Sequence, residues 1–293
     1  MHKHPLLIVV ALAVLAALAA LLVALLHQPA ARNTDGESPR IVSLLPQATE
    51  TLYEIGAGDM LVGRSDYCFH PARAQGLPVC GTSLTPNGEA IVRLEPTLIL
   101  GDGSHATDRE RLRALGNAEF LDWLTAQDVI ASTRRLGVLT GKEEAANRLA
   151  DELAAVLLVP EPASGPRVLV AMAHTPGQMK GVTFMKRNSL HGEILHAAGG
   201  RNAVDYHVSG VPTLSIEEVL RLDPDIIIIV AFADEMPGGT RDMILSDWDK
   251  LSPLRAVRQG RVGLLHGQHM VPAARRTFTL VKALRQEIER LGR

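Results

Sequence analysis

The sequence predicts an α/β chain of two lobes, each built on a mainly parallel sheet, joined by a long helix and preceded by an apolar one. Three observations carry this reading. An uncharged apolar run fills residues 6–26. From Arg40 onward, short apolar segments alternate with helical stretches. One helix–proline–strand unit occurs twice: residues 89–100 read EAIVRLEPTLIL and residues 217–228 read EEVLRLDPDIII, 128 positions apart.

The apolar run comes first. Lys3 precedes it, and a positive start before an apolar core reads as an export signal. Its length approaches the roughly 20 residues that span a bilayer, and Pro29-Ala30-Ala31 is a poor cleavage site. Residues 1–28 are therefore either a cleaved signal peptide or an uncleaved inner-membrane anchor. No Cys directly follows to carry a lipid. Lys3 stays in the cytoplasm and the rest lies outside it, in the periplasm or cell envelope. Residues 29–39 are small, polar and turn-rich, which suits a flexible tether.

The folded part begins near Arg40. Residues 41–45 form a strand candidate, and residues 49–55 a short helix closed by Gly56 and Gly58. Residues 97–100, 167–172, 226–230 and 262–265 are further strands. Their nearly unbroken apolar character suits parallel strands covered on both faces. Residues 125–160 are the longest helical stretch, with a break expected at residues 137–141. In its second part Ala146, Leu149, Leu153 and Leu157 share one side. The prolines at 160, 162 and 166 stop it. This places a first lobe at residues 40–124, a helical connector at 125–160 and a second lobe at 161–293. The repeat lies once in each lobe. In each copy a short helix must end before Pro96 or Pro224, and a buried strand follows at once.

Composition narrows the function. The formal net charge of −2 gives no electrostatic footprint for nucleic acid. Aromatics make up only 3% of residues, so an aromatic cleft has few to draw on. The GDGSHA stretch at Gly101 lacks the GxGxxG spacing of a dinucleotide site. Neither a GxSxG elbow nor a phosphate-binding loop is present, so the chain does not read as an enzyme. Cys68 and Cys80 lie where disulfides can form; a bond between them, free thiols, and a Cys68 near the ligand all stay open. His191 with His196, and His266 with His269, are candidate neighbours, but no HExxH or paired-Cys pattern marks a metal site. His174 and His269 stand near strand ends. Two lobes leave a cleft, where ligands tend to bind.

From Arg40 to the C-terminus the chain resembles the periplasmic substrate-binding proteins of iron–siderophore, haem and cobalamin ABC importers. The resemblance rests on RIVSLLPQATETLYEIGAGDMLVG, RSDYCFHP, LPVCGTSLTPN, the two repeats, SLHGEILHAAGGRNAVD and GRVGLLHG. It implies two Rossmann-like lobes on a rigid helical connector. It also implies a monomer that has no intrinsic cofactor, captures a metal chelate and delivers it to a membrane permease with its ATPase. One Glu on each lobe would dock on the permease, here Glu89 and Glu217. The look is closest to the cobalamin binders, whose cleft aromatic corresponds to Tyr67. Their cleft tryptophans correspond to Ser83 and Val211, so the pattern departs there. Trp123 and Trp248 read as packing residues. Haem binders offer a tyrosine where Thr82 stands and a histidine at the place of His174. Siderophore binders use arginine clusters, for which Arg64, Arg187, Arg275 and Arg276 are candidates. The ligand is thus a corrinoid or related tetrapyrrole, with ferric siderophore, haem or metal ion as alternatives, and a membrane-tethered sensor as the alternative role.

Overall fold

The computed structural model describes residues 38–103, 106–160, 162, 164–208, 210, 212–233, 235–267 and 270–293; of residues 106–108 it describes the backbone. The expected signal or anchor, most of the tether, Val211 and His269 fall outside these. Among the described residues, no helix is long and apolar enough to cross a membrane.

The first lobe runs β1 (Ile41–Ser43), α1 (Pro46–Glu54), β2 (Leu61–Arg64), α2 (Gly88–Arg93), β3 (Leu98–Asp102), α3 (Ala106–Leu115) and β4 (Ala118–Leu121). Then come α4 (Ala126–Thr140) and α5 (Glu143–Leu157). The second lobe runs β5 (Arg167–Met172), β6 (Val182–Thr183), α6 (Leu190–Ala197), β7 (Arg201–Asn202), β8 (Thr213–Leu214) and α7 (Ile216–Leu222). It ends with β9 (Ile226–Ala231), α8 (Thr240–Asp249), α9 (Arg255–Arg258), β10 (Val262–His266) and α10 (Arg276–Leu291). The α1 helix begins three residues before the expected start, because Pro46 occupies its first turn, where a missing N–H costs nothing.

Each lobe holds a four-stranded sheet, and every pairing within both is parallel. The orders are β2-β1-β3-β4 and β7-β5-β9-β10. Counted by appearance within its lobe, each sheet is ordered 2-1-3-4. The duplication read from one short motif is therefore a duplication of topology. β6 and β8 form a separate antiparallel pair.

Alternate residues of the strands go to different cores. Ile41, Leu98, Leu100, Val168, Val170, Ile226, Ile228 and Val230 belong to one continuous cluster that also holds Leu52, Leu149, Leu153 and Leu284. Val42 and Ile99 point the other way, into a cluster with Ile91 and Leu112. Leu169, Ala171, Ile227 and Ile229 do the same in the second lobe, where Trp248 fills the layer. A period of two with both faces covered explains the unbroken apolar strands. The largest cluster crosses from one lobe through α5 to the other, so the lobes share a core.

The connector divides at the end of the expected window. Gly141 (φ 67°) takes the left-handed conformation that ends α4. What joins the lobes is a helical hairpin, not one rod: Arg134 of α4 pairs with Asp151 of α5 at 2.7 Å. Gly137 lies at the crossing, where a Cβ would fall 2.4 Å from that of Ala146. There it is part of the helix, and its missing side chain lets the two backbones approach.

Candidate functional site

Ligands of open parallel sheets bind beyond the carboxyl ends of the strands. In this chain those ends carry several large, exposed side chains. Tyr67 follows β2 and is 61% exposed, with Phe69 beside it. Leu124 follows β4 at 64%, and Tyr206 follows β7 at 51%. Segments leaving these ends also make the contacts between lobes. The N–H of Leu190, at the start of α6, donates to the Leu124 carbonyl at 2.7 Å. The Ala126 N–H, at the start of α4, donates to the Glu193 carboxylate at 2.5 Å. On α1, Glu50 accepts two bonds from the guanidinium of Arg276 at the start of α10. The carboxyl ends of both sheets are thereby brought into one region.

The expected ligand residues have distinct surroundings. Tyr67 is open to solvent, its N–H donating to the Ser65 hydroxyl at 3.3 Å. Thr82 closes its own turn: its hydroxyl accepts from the Thr85 N–H at 2.9 Å and lies 2.8 Å from the Thr85 hydroxyl. Ser83 is half-buried in that turn and leaves Leu84 exposed. His174 follows β5, and its Nε2 lies 3.0 Å from Oδ2 of Asp247 on α8. Asp247 is buried and accepts also from Lys250 Nζ and the Gly177 N–H, each at 2.6 Å. These donors, Lys250 foremost, hold its carboxyl well below the usual carboxylate range. The result fixes the loop after β5 and leaves Nδ1 as the second ring nitrogen of His174.

The four candidate arginines are each engaged by protein groups. Arg64 is buried and donates to the carbonyls of Ser65 and Gln75. Arg187 donates to the Asp205 carbonyl. Arg275 bridges Glu152 of α5 at 2.7 Å and Glu54 of α1 at 3.1 Å, and Arg276 holds Glu50. Arg275 is thus a tie between lobe and connector, with its guanidinium already engaged by two carboxylates.

The candidate disulfide is not formed; both thiols are free and buried. Cys68 Sγ lies 3.1 Å from the Thr49 hydroxyl and 3.2 Å from that of Ser65, beside Ser43. Cys80 sits with Val42 in the outer core, and burial pushes its thiol pKa up. Neighbouring strand residues face opposite ways, which separates the two sulfurs. Of the candidate histidines, His191 is half-buried; desolvation lowers its pKa, and it bonds the Met270 backbone. Among the described residues no group of three His, Cys, Asp or Glu side chains could hold a metal ion.

Glu89 and Glu217 take equivalent places. Each is the second residue of its helix and exposed. Asn87 caps α2 by accepting from the Ala90 N–H. Ser215 caps α7 through a reciprocal box with Glu218. Glu89 also pairs with Arg93 at 2.5 Å on the helix surface. Sequence reading missed the ties through Glu50, Glu193 and Glu54, and the exposed Leu124 and Tyr206. Tyr206 follows Arg201–Asn202, a two-residue polar strand, so no apolar run in the sequence pointed to it.

Two similar lobes over a shared core, with exposed aromatics at facing strand ends, define a ligand-binding protein of the two-lobed kind. The chain belongs to the periplasmic binding protein family, whose model matches residues 41–268. It is 30% identical over 262 residues to a cobalamin-binding protein of Halobacterium salinarum, covering 83% of this chain and 68% of that one. It is 30% identical over 202 residues to the vitamin B12-binding protein of Photorhabdus laumondii, covering 65% and 70%. The fold matches the periplasmic vitamin B12-binding protein of Vibrio cholerae with a TM-score of 0.70 at 23% identity, over 87% of this chain and 98% of that one. It matches a periplasmic haem-binding protein of Pseudomonas aeruginosa with a TM-score of 0.69 at 23% identity, over 86% and 93%. Family membership and these likenesses are consistent with a substrate-binding protein.

Proposed function

We propose that this protein captures a corrinoid, or a closely related metal chelate, between the carboxyl ends of its two sheets. It then hands the ligand to an inner-membrane permease, without covalent chemistry, as an exported monomer. The observation that carries the reading is the placement of Tyr67, Leu124 and Tyr206, exposed at strand ends that inter-lobe contacts draw together. A broad, largely apolar ligand face suits such a surface better than a small ion does. The names of the relatives favour cobalamin within that class. The haem alternative keeps one supporting feature, the imidazole of His174 oriented by Asp247.

Docking would fall to Glu89 and Glu217. Both carboxylates are exposed in the first turn of short helices, where permease arginines could pair with them, Glu89 exchanging its solvent-exposed pair with Arg93.

Residues 38–293 mixed with cyanocobalamin or haem, then desalted, are read by absorption spectroscopy. Retained cobalamin colour is the expected result. Retention of haem alone moves the reading to the alternative, and retention of neither overturns the ligand class.

A further inference from the structure

We propose that Arg40 and Arg167 are positioning residues for permease docking, each holding the far end of a docking helix so that Glu89 and Glu217 keep a fixed spacing. The inference rests on the docking reading above.

Each arginine opens the first strand of its lobe: Arg40 directly precedes β1, and Arg167 is the first residue of β5. Arg40 donates through Nη2 to the Leu94 carbonyl at 2.7 Å and through Nε to that of Glu95 at 3.1 Å. Arg167 donates through Nη1 to the Leu222 carbonyl at 3.0 Å and reaches that of Asp223 at 3.5 Å. Leu94 and Leu222 are the same place in the two repeats, as are Glu95 and Asp223. The backbone repeats the match. The Arg40 N–H donates to the Thr97 hydroxyl at 2.9 Å, and the Arg167 N–H to the Asp225 carboxylate at 2.8 Å. Thr97 and Asp225 each directly follow the repeat proline.

The physics gives these contacts a task. Helices of six and seven residues are too short to hold themselves together. Their last carbonyls have no helical partner, and a cation there meets the negative end of the dipole. Glu95 (φ 47°) and Asp223 (φ 38°) stand in the left-handed region, which is unfavourable for a residue with a side chain. The guanidinium bonds hold that turn. The N-terminal caps at Asn87 and Ser215 fix the other end. Two carboxylates engage one partner strongly only if their separation already matches it. The lobes differ in one respect. Arg255 also bonds Asp223 and Asp225, so α7 has a second brace. Among the described residues no second guanidinium bonds the turn at Glu95, so Arg40 carries more of the load.

The test reads docking without ligand, as binding of the full chain to the source organism's ABC permease–ATPase complex in nanodiscs. The variants are Arg40→Met, Arg40→Lys, Glu89→Ala and Glu217→Ala, alone and combined. Arg40→Met is expected to weaken docking about fivefold, with Arg40→Lys recovering most of it. Adding Glu89→Ala to Arg40→Met should cost little more, because Arg40 acts through Glu89, whereas Glu217→Ala should add its full effect. A general structural role would make Arg40→Met combine equally with both. That outcome, or unchanged docking by Arg40→Met while the Glu variants lose it, overturns this inference alone. Unchanged docking by Glu89→Ala and Glu217→Ala overturns the docking reading itself.

Discussion

Arg276 and Glu50 join the two lobes across 226 residues of sequence. The contact is bidentate along one guanidinium edge, Nε reaching Oε2 at 2.7 Å and Nη2 bonding Oε1. The Glu50 side chain is 5% exposed and that of Arg276 is 17%. Removing one partner of such a pair strands the other, at about 3 kcal/mol. Glu50→Ala should lower the unfolding free energy by that amount, measured by urea titration. Glu50→Gln keeps the shape and one acceptor, so it should cost less than half as much. Equal losses for Ala and Gln would show that the charge, not the packed contact, holds the lobes.

The same carboxyl gives the stability a pH dependence. Burial outweighs Arg276 and, with Glu54 beside it, raises the pKa of Glu50 from 4.5 to about 7. The other charge near it, Glu54, is itself paired with Arg275. A carboxyl with a raised folded-state pKa stabilises fully below its unfolded value, and that contribution disappears as pH rises through the folded value. From this group alone, stability should fall by about 1–3 kcal/mol between pH 4.5 and 8. The wild type minus Glu50→Gln difference in unfolding free energy isolates the term. A flat difference would assign Glu50 an ordinary pKa, and one that rises with pH a lowered one.

Strands were legible because their sequence is one-dimensional information. Ile226–Ala231 is buried throughout, and an unbroken aliphatic run states as much. The repeat announced two lobes, since a helix cut by proline and followed by such a strand has little freedom. Glu50 could not be read this way. An acid on a short helix looks like its solvated face, and the residue that buries it lies at the other end of the chain. Arg40 and Arg167 were overlooked for a related reason. In the sequence each is simply a charge where a strand begins, and only the carbonyls it meets give it meaning. Of the candidate ligand residues Tyr67 is exposed, while Arg275 and Thr82 are occupied by neighbours that sequence spacing does not reveal.

Gly137 offers a test of the hairpin. An added methyl would lie 2.4 Å from the Ala146 Cβ and 3.1 Å from the Glu143 Cα, both on the facing helix. Alanine in place of glycine gains up to about 1 kcal/mol of helix propensity. Forcing two packed backbones apart costs about 1–3 kcal/mol. Gly137→Ala should therefore lower Tm in spite of its better propensity. A raised Tm would mean that the hairpin opens at no cost.

Buried free thiols make a sharp prediction about redox state. Cys68 and Cys80 should resist a thiol reagent in the native protein and both react in denaturant. Dithiothreitol should leave Tm unchanged, since there is no cross-link to lose. A Tm lowered by reductant would show a bond between them.

The continuous core sets the amplitude of closure. Leu52 and Leu100 of the first lobe, Leu153 of α5, and Ile226 and Leu284 of the second belong to one packed cluster. Rotating one lobe on the other would break that packing, and interiors do not deform continuously. Arg275 and Arg276 tie α1 to α5 and α10 on one side, while Leu190 and Glu193 tie α6 to the start of α4. Closure should therefore be small, carried by side chains and loops at the strand ends. Spin labels at Val92→Cys and Met243→Cys, both exposed and in different lobes, leave the buried native thiols unlabelled. Cyanocobalamin should sharpen the distance distribution without moving its mean beyond the width of the label. A displaced mean would require the core to divide on binding. Glu50→Ala should then enlarge that displacement, and an unchanged one would remove the α1–α10 tie from the account of closure.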